Sequence, residues 1–86
     1  MLWHVSERNT VTSNVSERIL NLVKTRVNQA VDFDSDLYSC GFHSLMMMEL
    51  VVEIEGEFGI ELPPEALSRD RLRSIAKITQ SVEALL

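Results

Sequence analysis

The sequence has 86 residues, 45% of them hydrophobic, and a formal net charge of −5 from 13 acids and 8 bases. One domain with a modest core fits that length, which leaves little room for a buried site of several converging side chains and argues against a self-contained enzyme. The acidic balance argues against nucleic acid as a partner, because phosphate contacts need clustered Lys and Arg, and the single cysteine, Cys40, excludes an internal disulfide.

Residues 1–12 show no clear period and no basic start followed by an apolar run. They are expected to form a flexible leader rather than a signal peptide, ahead of a single domain at 13–86. No apolar stretch approaches the length of a membrane span, so a cytoplasmic protein without a membrane partner is expected. Asn14 and Glu17 have the spacing of a capping box and predict a helix start. Val15, Ile19, Leu22, Val23 and Val27 then recur at helical spacing, with an end expected near Ala30.

Residues 31–43 read as a long loop rich in turn formers, Asp32, Asp34, Ser35, Asp36 and Gly41, anchored by Phe33, Leu37 and Phe42. A loop of that length in so small a domain suggests function. A second helix is predicted from Ser44 to Phe58 and stopped by Gly59. Its core stripe is Met47, Leu50, Val51, Ile54 and Phe58. Glu49, Glu53 and Glu57 lie opposite, with a mixed edge of Leu45, Met48, Val52 and Glu55 between. Pro64 opens a brief helix through Leu67. A last helix starts near Ser74, with Ile75, Ile78, Val82 and Leu85 on one face. No segment alternates like a strand. The expected fold is all-α, a bundle of three main helices plus one short helix, and so a four-helix bundle when the short one is counted.

From Asp32 to Glu65 there are nine carboxylates (Asp32, Asp34, Asp36, Glu49, Glu53, Glu55, Glu57, Glu61, Glu65) and no Lys or Arg, whereas Arg69, Arg71, Arg73 and Lys77 reverse the sign. Such a stretch can steer basic partners, and equally it can serve as a solvated face. Within it, Gly41 permits a tight backbone and Ser44 falls at a helix N-terminus. A serine there can act as an N-cap. A phosphodiester on the same oxygen would meet the positive end of the helix dipole. Serine hydrolysis is disfavoured, because adjacent His43 seldom reaches the neighbouring hydroxyl and the sequence is not a Gly-x-Ser-x-Gly elbow. His4, His43 and Cys40 form no recognisable metal-ligand pair. Met46, Met47 and Met48 point about 100° apart on a helix, so one is expected in the core and the others at rim or surface.

Asp36-Leu37, Gly41-x-x-Ser44-Leu45, Glu49-Leu50, the run Glu55-x-Glu57-Phe58-Gly59-Ile60-Glu61-Leu62-Pro63 and the helix opening Ser74-Ile75 together resemble the acyl carrier and peptidyl carrier protein superfamily, over residues 14–86. The resemblance implies an acyl-carrier-like bundle and a 4′-phosphopantetheine arm, donated by coenzyme A and attached to Ser44 by a phosphopantetheinyl transferase. The chain would be a monomeric, non-catalytic carrier of an acyl or aminoacyl thioester. It would be loaded by an acyl- or aminoacyl-loading ligase and serve downstream synthase or transferase enzymes. Partner recognition is implied for His43, Leu45, Met48, Glu49, Val52 and Glu55. His43 replaces the Asp that precedes the serine in fatty-acid and many polyketide carriers, and peptidyl carriers often have His there. The Phe58-to-Pro63 run reads like an acyl carrier, so cargo stays open between the two. The expected setting is secondary-metabolite biosynthesis of polyketide or nonribosomal peptide type. The alternatives are a fatty-acid carrier and a helical interaction module without a prosthetic group.

Overall fold

A computed structural model describes residues 11–86. The leader expected at 1–12 lies outside the described residues up to position 10, and Val11 and Thr12 are already helical. Three α-helices follow in order: α1 (Val11–Lys24), α2 (Ser44–Phe58) and α3 (Ile75–Glu83). Among the described residues there is no strand. None of their helices is long and apolar enough to cross a membrane.

α1 begins before the expected start, so Asn14 lies inside the helix rather than at its cap. Val15, Ile19 and Val23 fall one turn apart on a single face and are buried. The helix also ends at Lys24, short of Ala30. The Thr25 hydroxyl donates to the Leu22 carbonyl at 2.7 Å, and the Arg26 N–H bonds Val23 O at 3.0 Å in a tightened last turn. A hydroxyl that offers the backbone a local partner competes with helix continuation. Arg26 then leaves the helix direction to meet α2.

α2 buries Met47, Leu50, Val51 and Ile54 as expected and stops at Gly59, whose φ of 66° is left-handed. Phe58 departs from the expected core stripe. It is only partly buried, and the Arg18 guanidinium lies 4.4 Å from its ring centroid. Of the methionine run, Met47 is buried, Met46 intermediate and Met48 exposed.

α3 is capped by Ser74, whose Oγ accepts the Lys77 N–H at 3.2 Å. Ile75, Ile78 and Val82 are buried, but Leu85 is exposed because α3 has ended at Glu83. The short helix is a single 3₁₀ turn, Pro64–Leu67, of which only Ala66 is buried. Pro63 precedes it and Ser68 leaves it in extended backbone, and runs of this kind rarely extend past one turn. Among the described residues the fold therefore has three α-helices, not a four-helix bundle. α1 packs against both α2 and α3, around a continuous core that also takes Leu37, Phe42, Leu62 and Leu72.

Candidate functional site

The loop between α1 and α2 is organised by its acids. Asp32 Oδ1 accepts from the Asp34 N–H and from the Ser35 hydroxyl, each at 3.0 Å. The Ser35 hydroxyl, together with the Asp34 and Ser35 N–H groups, holds the Asp32 carboxyl below its ordinary range. Asp36 caps a second 3₁₀ turn, Leu37–Cys40, by accepting the Tyr38 N–H at 3.0 Å. Gly41, with φ of 103°, reverses the chain there, and Phe42 N–H bonds Leu37 O at 3.1 Å. A side chain at Gly41 would be strained in that backbone.

This loop is clasped to the start of α3. Leu37 N–H bonds Arg73 O at 2.8 Å, Ala76 N–H bonds Phe33 O at 2.9 Å, and Arg73 Nη1 lies 3.3 Å from Asp36 Oδ2. Phe33 thus anchors the loop through its carbonyl, while its ring, expected in the core, is 38% exposed. Leu37 and Phe42 do anchor the loop in the core.

The chain then enters α2 through His43. Its backbone is extended, and its Nδ1 accepts the Met46 N–H at 3.3 Å. His43, not Ser44, is the N-cap, and this is a role the sequence did not reveal. An imidazole nitrogen accepts an N–H only when it carries no proton itself. Ser44, relieved of capping, is the first helical residue. It is exposed, and among the described residues its hydroxyl has no hydrogen-bond partner.

Two clefts open beside Ser44. One, of about 410 Å³, is lined by Tyr38, Gly41, Phe42, His43, Ser44 and Arg69. The other, of about 280 Å³, is lined by Ser44 with Tyr38, Met47, Met48, Leu67, Arg69 and Leu72. Arg69 lies over the Tyr38 ring, 3.8 Å from its centroid. The sequence placed Arg69 only in a basic loop, because no local spacing links it to Tyr38.

The residues expected at a partner surface separate into two groups. Leu45 and Val52 are each 66% exposed and Met48 43%, along one stripe of α2. Glu49 is tied to Arg26 at 2.9 Å, as is Glu53 at 3.0 Å, and the Glu53 hydrogen bond leads the effects that hold the Arg26 guanidinium above its ordinary pKa. Glu55 bonds inward, accepting the Leu62 N–H at 2.8 Å. His43 is exposed but serves the helix end. Among the described residues, no group of three or more His, Cys, Asp or Glu is arranged to hold a metal ion.

The residues present fit a bulky phosphate ester on a hydroxyl. The oxygen is exposed and unengaged, clefts flank it, and a guanidinium lines both. A family model described as the phosphopantetheine attachment site matches residues 17–82. D-alanyl carrier proteins of Streptococcus pyogenes serotypes M5 (strain Manfredo), M49 (strain NZ131) and M1 are each 42% identical over 53 residues, covering 60% of this chain and 67% of the relative.

Proposed function

Because the chain belongs to the phosphopantetheine-attachment family, and is thereby a non-catalytic carrier with a covalent 4′-phosphopantetheine arm, we propose that Ser44 bears the arm and that the cargo is an aminoacyl group. The observation that carries the first part is the free, exposed Ser44 hydroxyl at the start of α2. Most other serines in the matched range already use their hydroxyls. Ser35 donates to Asp32, Ser68 accepts from the Arg71 N–H, Ser74 caps α3, and Ser81 meets Arg71. Ser39 is exposed too, but it lies inside a four-residue 3₁₀ turn, away from both clefts' linings.

When bound, the arm supplies a terminal thiol that holds cargo as a thioester. The protein's own part is to present the hydroxyl and to fix the junction. The Asp36–Arg73 clasp, the Gly41 reversal and the His43 cap hold Ser44 at one place on the surface. Leu45, Met48 and Val52 offer an apolar stripe to a phosphopantetheinyl transferase, to an amino-acid ligase and to a downstream acceptor enzyme.

Two observations favour an aminoacyl cargo. The matched relatives are named D-alanyl carriers, and His43 stands where fatty-acid carriers have Asp. On this reading a ligase for a small amino acid such as D-alanine loads the chain in the cytoplasm. The polyketide branch of the secondary-metabolite expectation loses support, while the nonribosomal peptide branch shares the same aminoacyl thioester.

The test is the intact mass after incubation with coenzyme A and a broad-specificity transferase. Wild type and Ser39→Ala should each gain one phosphopantetheine, and Ser44→Ala none. Equal gain by Ser44→Ala, or no gain by wild type with several transferases, overturns the attachment site. Loading of the modified protein by a D-alanine ligase, read as a hydroxylamine-sensitive mass gain, tests the cargo.

A further inference from the structure

The cations of the described residues are mostly committed to carboxylates. Arg18 pairs with Glu57 at 2.6 Å, Arg26 with Glu49 and Glu53, Arg73 with Asp36 and Asp70, and Lys77 with Asp70 at 3.2 Å. Arg71 reaches the Ser81 hydroxyl at 3.3 Å. Lys24, at the far end of α1, lines neither cleft beside Ser44. Arg69 is different. It is exposed, its partner is the Tyr38 ring rather than an acid, and it lines both clefts together with Ser44.

That position matters because of what surrounds it. Nine carboxylates and no Lys or Arg occupy the sequence from Asp32 to Glu65, the segment that contains Ser44. A phosphodiester added to Ser44 places another anion in a stretch that supplies no counter-charge of its own. A guanidinium lying over an aromatic face still has N–H groups to offer, and their fork matches the oxygens of a phosphate. The stack also limits the rotamers that the long side chain must give up on binding, so less freedom is lost per hydrogen bond.

Resting on the reading of Ser44 as the attachment point, we propose that Arg69, held over Tyr38, binds the phosphodiester through which the arm is joined to Ser44 and so sets the direction in which the arm leaves the protein. Arg69 is a positioning residue here, since the thiol and its cargo lie at the other end of the arm. The tether supplies the affinity. An exposed pair of single charges is weak between free partners, but covalent attachment holds the diester at an effective concentration of order millimolar or more. The contact weakens as salt screens it.

The experiment uses apo and phosphopantetheinylated forms of wild type, Arg69→Ala, Arg69→Lys and Arg69→Gln, each form first verified by intact mass. The readouts are the Arg69 Nε–Hε resonance and the ³¹P shift and line width of the diester. In wild type the Nε–Hε signal should move on modification, and the ³¹P line should be broader than in Arg69→Ala and narrow at high salt. Arg69→Lys should keep part of the ³¹P shift and Arg69→Gln none. An unmoved Nε–Hε signal in modified wild type, with the same ³¹P line in Arg69→Ala, overturns the proposal. The wild-type measurement needs no variant, so a poorly folding mutant does not block the test. Inorganic phosphate added to apo wild type at micromolar concentration, far below the effective concentration of the tethered diester, should leave Nε–Hε in place, and a full shift there overturns the assignment to the tethered diester. Slower ligase loading of Arg69→Ala with an unchanged ³¹P line would make Arg69 an enzyme-docking contact instead, and would equally overturn it. Failure of wild type to gain mass sinks the Ser44 reading, whereas a normal mass gain with unmoved resonances sinks only the role of Arg69.

Discussion

The Glu55 carboxylate reaches past the end of its own helix to accept the Leu62 N–H at 2.8 Å, and Leu62 itself is buried. This contact ties the chain that leaves α2 back onto the helix, beside the bonds by which the N–H groups of Gly59 and Ile60 reach Glu55 O. The sequence suggested Glu55 as a partner contact, but its carboxylate already has a use inside the fold.

Glu55→Ala should therefore lower unfolding stability by about 1–2 kcal/mol, the cost of losing a charge-assisted hydrogen bond to a backbone donor. Glu55→Gln keeps an acceptor and should lose about half as much or less. Denaturant unfolding of both variants checks this. Stability unchanged in Glu55→Ala, with slower docking to the ligase, would make partner recognition the main role of Glu55.

Ile54 is fully buried, while the larger Phe58 is only partly buried beneath Arg18. Ile54→Ala should cost about 3–4 kcal/mol, through lost transfer free energy and a residual cavity. Phe58→Ala should cost nearer 2 kcal/mol, because water already reaches part of the ring, although its cation–π contact with Arg18 is also lost. Thermal or urea unfolding that ranks Phe58→Ala as the more damaging would show the ring to be better covered than it is here.

Arg26 bridges Glu49 and Glu53, one turn apart on the solvent side of α2. Arg26→Ala should release both carboxylates and speed association with a basic ligase a few-fold at low salt, since exposed charges act mainly on encounter. The gain should fade as ionic strength rises. Met48→Ala should instead raise the dissociation rate with little salt dependence, because it removes contact area rather than charge. Stopped-flow binding at two salt concentrations separates the two effects. Identical association rates for wild type and Arg26→Ala at low salt would reduce these acids to a solubilising face.

The Asp32 carboxyl, held low by the Ser35 hydroxyl and by the Asp34 and Ser35 N–H groups, makes the loop before Ser44 sensitive to acid. A depressed folded-state pKa contributes stability above the unfolded value, about 3.9 for Asp, and that contribution is lost as pH falls through the lower folded value. Wild type and Asp32→Asn should thus differ in stability at neutral pH, begin to converge near pH ~3.9 and meet only once pH is below the lowered folded-state value. Unfolding curves at neutral and acid pH test this, and a gap that persists in acid would show that the carboxylate charge is not its source. NMR titration of Asp32 reports the shift directly.

The sequence by itself determined the helical elements, the buried stripes Val15–Ile19–Val23 and Met47–Leu50–Val51–Ile54, the stop at Gly59, the start of the last helix near Ser74 and the place of Ser44 at a loop–helix junction. Each of these depends on neighbours within a turn or two, where helical period and capping chemistry are local and legible. Helix ends were less legible, because the Thr25 hydroxyl and the departure of Arg26 toward Glu49 and Glu53 cut α1 short of the end expected near Ala30. Tertiary structure alone decided which charges are free. Glu49, Glu55 and Arg69 look alike in sequence as exposed ionic residues. Folding pairs the first with Arg26, turns the second onto Leu62 N–H, and leaves the third stacked on Tyr38 beside Ser44. The physical reason is reach. A long charged side chain takes whatever partner the packing of distant segments brings near, and no local spacing encodes that partner.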